Sequence, residues 1–228
     1  MGDPAVRVKI CGVRCVEDAL LAAELGADAI GVLVGQHHPS PDFIGVEQAA
    51  AVMRALPEPV CGVLVSHLED ADALLELVDQ VQPKAVQIHS PMAVNGVRAI
   101  RQARPNLLLH KAVHVGSAAA WAAISDYGAL VDGFVADSFN PATGQVGGTG
   151  LTHDWRFTAE LARASPQPLW LAGGLTAQNV ADAIALVQPH GVDVNSGVKG
   201  ANGFKDPQRL QAFIEAVRTA TPVARGPQ

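Results

Sequence analysis

Short runs of Val, Ile and Leu alternate along this chain with longer segments whose apolar residues recur at three- and four-residue spacing, and the alternation repeats about eight times. The short runs are Val6 to Ile10, Ala29 to Val34, Val60 to Val65, Ala85 to His89, Leu107 to Val113, Gly133 to Asp137, Leu169 to Ala172 and Gly191 to Val194. They are nearly continuous in apolar character, as strands covered on both faces are. The amphipathic segments between them are Val16 to Leu25, Val46 to Ala55, Leu68 to Val81, Met92 to Ala103, Ser117 to Ser125, Trp155 to Arg163, Ala177 to Val187 and Pro207 to Thr219. Strand–helix units in that number predict a single-domain α/β fold, a (β/α)8 TIM barrel, over residues 1–220. Residues 221–228, with two prolines and no apolar face, are expected to form a loose tail. The competing fold, a doubly wound open sheet, usually has fewer strands, and no GxGxxG follows the first strand here.

Composition narrows the partners. A chain of 228 residues with 49% hydrophobic content sustains one substantial core. Its net charge of −6 and pI near 5.7, with Lys and Arg scattered, argue against a nucleic-acid surface. No apolar stretch reaches the roughly 20 residues a bilayer span needs, and Met1-Gly2-Asp3-Pro4 lacks the regions of a signal peptide. A cytoplasmic protein without a membrane partner, monomeric or homodimeric, is expected. Cys11, Cys15 and Cys61 are an odd count without paired CxxC motifs, so free thiols are expected rather than disulfides or a thiolate zinc site.

In such a barrel the residues just after each strand line one mouth, and the chemistry sits there. Cys11, His37, His38, His89, His114, Asp137, Gly173 and Asn195 fall at that mouth. The Cys11 thiol and the Asp137 carboxylate offer a nucleophile or base and an acid. Gly173 and Gly174 after the seventh strand, and Asn195-Ser196-Gly197 after the eighth, offer backbone amides to a phosphate, and a short helix beginning there adds its positive end. The outline is that of an acid/base enzyme acting on a small phosphorylated metabolite.

Several stretches then give a resemblance. Val8-Lys9-Ile10-Cys11-Gly12, Gly26-Ala27-Asp28-Ala29-Ile30-Gly31, Ser40-Pro41, Val86-Gln87-Ile88-His89, Gly147-Gly148-Thr149-Gly150, Asp154-Trp155, Ala172-Gly173-Gly174-Leu175 and Gly191-Val192-Asp193-Val194 through Ser196-Gly197-Val198 occur in order. Together they resemble the phosphoribosylanthranilate isomerase family of tryptophan biosynthesis over nearly the whole chain. The resemblance implies an Amadori rearrangement of an aminoaldose phosphate to an aminoketose without cofactor or metal. It makes Cys11 the general base at the sugar C2 and Asp137 the general acid that opens the ring, and it adds Gly148 to the phosphate site. A thiol serves as base only when its pKa is drawn down, for which Lys9, Arg14 and Lys111 are the candidate cations. Burial would raise Asp137 so that it holds a proton.

The pattern departs from that family in the expected substrate pocket, which comprises Lys9, Arg14, His37, His38, Asp42, His89, Lys111 and His114. The family's Ser-Pro-Arg, whose arginine binds the anthranilate carboxylate, reads Ser40-Pro41-Asp42, which replaces a charge-assisted pair by repulsion. Lys199 stands where the family has an acidic residue, so Lys199 or Arg14 is expected to take over anion binding, unless the substrate carries no anthranilate. Two other classes compete. His37 or His38, His89, His114 and Asp137 could bind a divalent metal for a lyase, aldolase or hydrolase reaction. A non-catalytic barrel that only binds a phosphorylated ligand is the third class, disfavoured because Cys11 and Asp137 are both present.

Overall fold

Eight parallel strands close on themselves in the computed structural model, which describes residues 5–35, 40–115, 118–137, 139–140, 145–146 and 154–220. In chain order the strands are β1 (Arg7–Ile10), β2 (Ala29–Leu33), β3 (Cys61–Ser66), β4 (Ala85–Ile88), β5 (Leu108–His114), β6 (Gly133–Asp137), β7 (Phe139–Asn140), β8 (Gln145–Val146), β9 (Leu169–Leu171) and β10 (Gly191–Val194). The barrel runs β1-β10-β9-β6-β5-β4-β3-β2, and β7 and β8 form a separate antiparallel pair. That pair is not predicted by the apolar pattern, because two residues per strand leave no periodicity to detect. The first and last barrel strands meet in register, Lys9 opposite Asp193 and Ile10 opposite Val194.

Around the barrel run α1 (Val16–Glu24), α2 (Val46–Ala55), α3 (Ala71–Val81), α4 (Val94–Ala103), α5 (Ala118–Tyr127), α6 (Trp155–Ala164), α7 (Val180–Val187) and α8 (Pro207–Thr219). Among the described residues no helix is long and apolar enough to cross a membrane. Three helices start two or three residues later than their apolar spacing predicts, and two of these delays have a visible cause. Helix α3 begins only after Asp70, whose carboxylate accepts from the Ala73 amide. Before α7, Asn179 holds a turn, accepting from the Thr176 amide and donating to the Gly174 carbonyl. The expected tail, 221–228, lies outside the described residues.

Period-two alternation sorts each strand into two faces. Val8, Ile10, Leu64, Ile88, Phe134 and Val192 pack outward into the large cluster shared with the helices. Cys11, Ala29, Val63, Val65 and Ala85 form a cluster of their own, and Val135, Trp170 and Ala172 another, on the inner face. Lys9, Gln87 and Asp193 are the buried polar residues of that interior, linked to one another by hydrogen bonds. The inner face is therefore the conduit from the core to the mouth.

Candidate active site

Cys11 is the first residue beyond β1, and its amide continues the ladder by donating to the Val194 carbonyl at 2.8 Å. The thiol sits among inner-face residues, buried, with Lys9 two positions below it. Lys9 is only 1% exposed; its Nζ lies 2.6 Å from Asp193 Oδ2 and 2.7 Å from Gln87 Oε1. Burial is the largest influence and pushes this ammonium toward neutrality, but Asp193 and Cys11 together outweigh it and hold the pKa above its ordinary value. Lys205 approaches from the loop before α8, donating to the Cys11 carbonyl at 2.5 Å and to Asn195 Oδ1 at 3.0 Å.

Two ammonium groups beside a thiol are the arrangement expected to create a thiolate, yet the balance goes the other way. Burial raises the Cys11 pKa to about 11; Lys9 and Lys205 pull it down, while Asp193 pushes it up. In a desolvated site the penalty on the charged form exceeds what these cations return. The other two expected cations act elsewhere. Lys111 points out of the barrel: its Nζ donates to the Ser90 and Ala112 carbonyls and lies 5.6 Å from the centre of the Tyr127 ring on α5. The alternation explains this, since Lys111 is one residue out of phase with the inward His110 and Ala112. Arg14 stacks over Phe204, 4.0 Å from the ring centre, and its Nη1 donates to the Pro41 carbonyl, while its buried Nε and Nη2 have no hydrogen-bond partner among the described residues.

Asp137 ends β6, buried, with His89 Nε2 at 3.8 Å from its Oδ2. His89 Nδ1 is 3.0 Å from Gln87 Nε2. The His89 ring stacks on His67 at 4.9 Å and meets His114 edge-on at 5.9 Å, while Phe43 caps His67 edge-on at 5.3 Å. His67, the first residue after β3, thus belongs to the mouth. Burial holds His89 well below the ordinary imidazole pKa and lowers His114 to about 4. His89 and His114 therefore face each other as neutral rings, and among the described residues no group of three His, Cys, Asp or Glu side chains is arranged to hold a metal. His37 and His38 lie outside the described residues.

On the opposite side of the mouth, Gly173 and Gly174 have φ of +87° and +65°, two successive left-handed residues that turn the chain sharply out of β9. Ser196–Val198 form one 3-10 turn, and a Cβ on Gly197 would lie 2.0 Å from the Leu175 carbonyl oxygen. The glycine at 197 is thus required by the packing of one loop against the other. Asn195 is expected to serve an anion, but its side chain accepts from Lys205 and donates to Asp42 Oδ2 at 2.9 Å. Gly148 lies outside the described residues.

Asp42 is 8% exposed and its Oδ2 lies 2.6 Å from Lys199 Nζ, which contacts Oδ1 as well. Lys199, expected to capture an anion, therefore has its charge matched by Asp42, and Asp42 does not stand alone before the pocket. Gln87, Asp193, Lys205 and His67 have no role in the reading of the sequence, although the first two carry a signal: they are polar residues at inward positions of otherwise apolar strands. Lys205 belongs to a further stretch that resembles the family, Lys205-Asp206, but its role is not visible locally, since its partners lie 194 and 10 residues away.

Comparison with known proteins fits this geometry. The model of the N-(5'-phosphoribosyl)anthranilate isomerase family matches residues 8–216. N-(5'-phosphoribosyl)anthranilate isomerase 2 of Methanosarcina mazei is 39% identical over 213 residues, which cover 93% of this chain and 94% of that protein. Phosphoribosyl anthranilate isomerase from Thermotoga maritima superposes with a TM-score of 0.80 at 33% identity, over 93% of this chain and 98% of that one. A structure of such an isomerase in complex with reduced 1-(o-carboxyphenylamino)-1-deoxyribulose 5-phosphate superposes with a TM-score of 0.77 at 32% identity, again over 93% and 98%.

Proposed function

Because the chain belongs to the N-(5'-phosphoribosyl)anthranilate isomerase family, we propose that it converts an aminoaldose phosphate to its aminoketose, with Asp137 as general acid and Cys11 as general base. The observation that supports these roles is the burial of both side chains at inner-face strand ends of one barrel mouth, Asp137 beside His89 and Cys11 beside Lys9 and Lys205. Phosphoribosylanthranilate is the substrate that the relatives' names supply. Asp137 gives its proton to the furanose oxygen, the bond from that oxygen to C1 breaks, and the aniline nitrogen's lone pair forms an iminium at C1. Cys11 then takes the proton from C2, and the C2–H electrons become the C1=C2 bond of an enolamine. Tautomerisation, with a proton gained at C1 and lost from the C2 hydroxyl, gives the ketone. Each positioned group contributes about 10² to 10⁴ in rate.

Gly173, Gly174, Ser196 and Gly197, with Gly148, are the groups we assign to the phosphate, and Asn195 supports them through Asp42 and Lys205. Lys9, Arg14, His37, His38, Asp42, His89 and His114 remain the pocket; Lys111 is removed from it by its outward direction. The reading carries with it a cytoplasmic enzyme of tryptophan biosynthesis, monomeric or homodimeric, with one catalytic unit over residues 1–220 and no nucleic-acid partner. A second reading of the aglycone rests on Asp42, whose pairing with Lys199 puts a neutralised carboxylate where an anthranilate carboxylate needs a cation. In that reading the same acid and base act on an aminoaldose phosphate without a carboxylated ring. The test is a direct assay of purified protein with phosphoribosylanthranilate. Turnover in the range of ordinary enzymes, kcat about 1 to 10³ per second, supports the first substrate; none, with inorganic phosphate still bound, selects the second.

A further inference from the structure

Three contacts in the barrel interior fix more than side-chain positions. An ammonium group has donors only, so the Gln87 atom 2.7 Å from Lys9 Nζ is the amide oxygen. The amide nitrogen is then the atom 3.0 Å from His89 Nδ1, and it brings a hydrogen to that ring nitrogen. A nitrogen that accepts a hydrogen bond is unprotonated, so a neutral ring carries its proton on Nε2. Nε2 is the atom that faces Asp137 Oδ2 at 3.8 Å.

We propose that Gln87, oriented by Lys9 and Asp193, is a positioning residue that locks His89 as its Nε2–H tautomer and so aims an N–H donor at the Asp137 carboxyl group. The inference rests on the assignment of Asp137 as the acid. Catalytic contacts of this length commonly tighten once substrate is bound. The orientation of the relay is set at its far end, where the 2.6 Å contact between Lys9 and Asp193 keeps the ammonium charged. Burial supports the neutral form of His89, and its stack on His67 and edge contact with His114 hold the ring plane.

The lock has a chemical use. When the Asp137 O–H bond breaks and the proton passes to the ring oxygen, a carboxylate is left in a buried place, and a hydrogen bond from Nε2–H favours that anion. Because Nε2 is already protonated, the imidazole cannot take the Asp137 proton for itself.

The wild-type protein with 15N-labelled histidine tests the lock without substrate, so its failure is separable from failure of the isomerase assignment. At pH 7.5 the His89 ring should show a bare Nδ1 and a protonated Nε2; the reverse tautomer, or an imidazolium, overturns the proposal. Gln87→Met removes the amide and keeps the volume. It should mix the tautomers and lower kcat by about tenfold or more with KM little changed. A Gln87→Met protein that loses activity while retaining the pure Nε2–H tautomer would show that Gln87 serves packing alone and would overturn its positioning role. Should Gln87→Met not fold, the wild-type spectrum decides.

Discussion

With Cys11 as the proposed base, the pH behaviour of the reaction follows from its thiol, because burial outweighs two neighbouring ammonium groups and raises its pKa to about 11. A base with that pKa is about one part in 10⁴ thiolate at pH 7, and the fraction grows tenfold with each unit until the pKa is reached. kcat/KM should therefore rise nearly tenfold from pH 6 to 7, below the range in which Lys205, lowered by burial to about 8, loses its charge. A flat profile across that interval would separate the rate from thiol ionisation. Cys11→Ser keeps the shape and removes the accessible thiolate, so turnover should fall by about 10² or more while competition by inorganic phosphate stays unchanged. Undiminished turnover in that variant would exclude the thiol as the base.

At the scale of elements, the pair of Asp42 and Lys199 ties the loop after β2 to the turn after β10 across 157 residues of sequence. Removing one partner of a buried ion pair costs about 3 to 5 kcal/mol, and with side chains 18% and 11% exposed this pair belongs toward the lower end. Asp42→Arg alone sets two cations face to face, and Lys199→Glu alone sets two carboxylates. Both single variants should melt earlier and turn over less, and the double variant should recover most of both losses. Losses that simply add in calorimetry and in kcat/KM would show that the two residues do not interact.

That pair was also beyond the reach of the sequence, since two charged loop residues so far apart carry no periodic signal. The strands were legible to within about one residue, because runs such as Gly133–Asp137 are apolar on both faces. Helix starts were less so: the Asp70 cap and the Asn179 turn each end an apolar spacing that continues past them. Within the candidate site, the positions of Cys11 and Asp137 at the barrel mouth followed from the strand ends, while the roles proposed for them came from the motif. The inward phase that excludes Lys111 and includes Gln87 was present in the alternation, and it became readable once the barrel fixed which face is inside.

For the molecule as a whole, one buried and two partly buried imidazoles make acid the weak side of its stability. Burial lowers His110 and His114 to about 4 and puts His89 well below its ordinary value of 6.5. The unfolded chain therefore binds more protons than the folded one at pH values between the folded pKa values and about 6.5. The contribution of these rings is complete above that window and is lost as pH falls through it. Tm should drop from pH 7 to pH 5, and His110→Gln should make the drop shallower. A Tm that stays constant over that range would show the rings to be accessible to protons in the folded state.

Lys9 and Asp193, the partners at the bottom of the relay, are 184 residues apart and lie on the two strands whose pairing closes the barrel. A ribosome makes the cation long before the carboxylate that neutralises it. Until β10 arrives, β1 and β9 are raw sheet edges open to association with other chains, and the lysine waits at one of them. Insertion of β10 covers both edges and neutralises that lysine in the same step. Closure of the barrel and completion of its buried charge pair therefore depend on the same strand, so a chain without β10 in place has neither a covered edge nor a matched lysine.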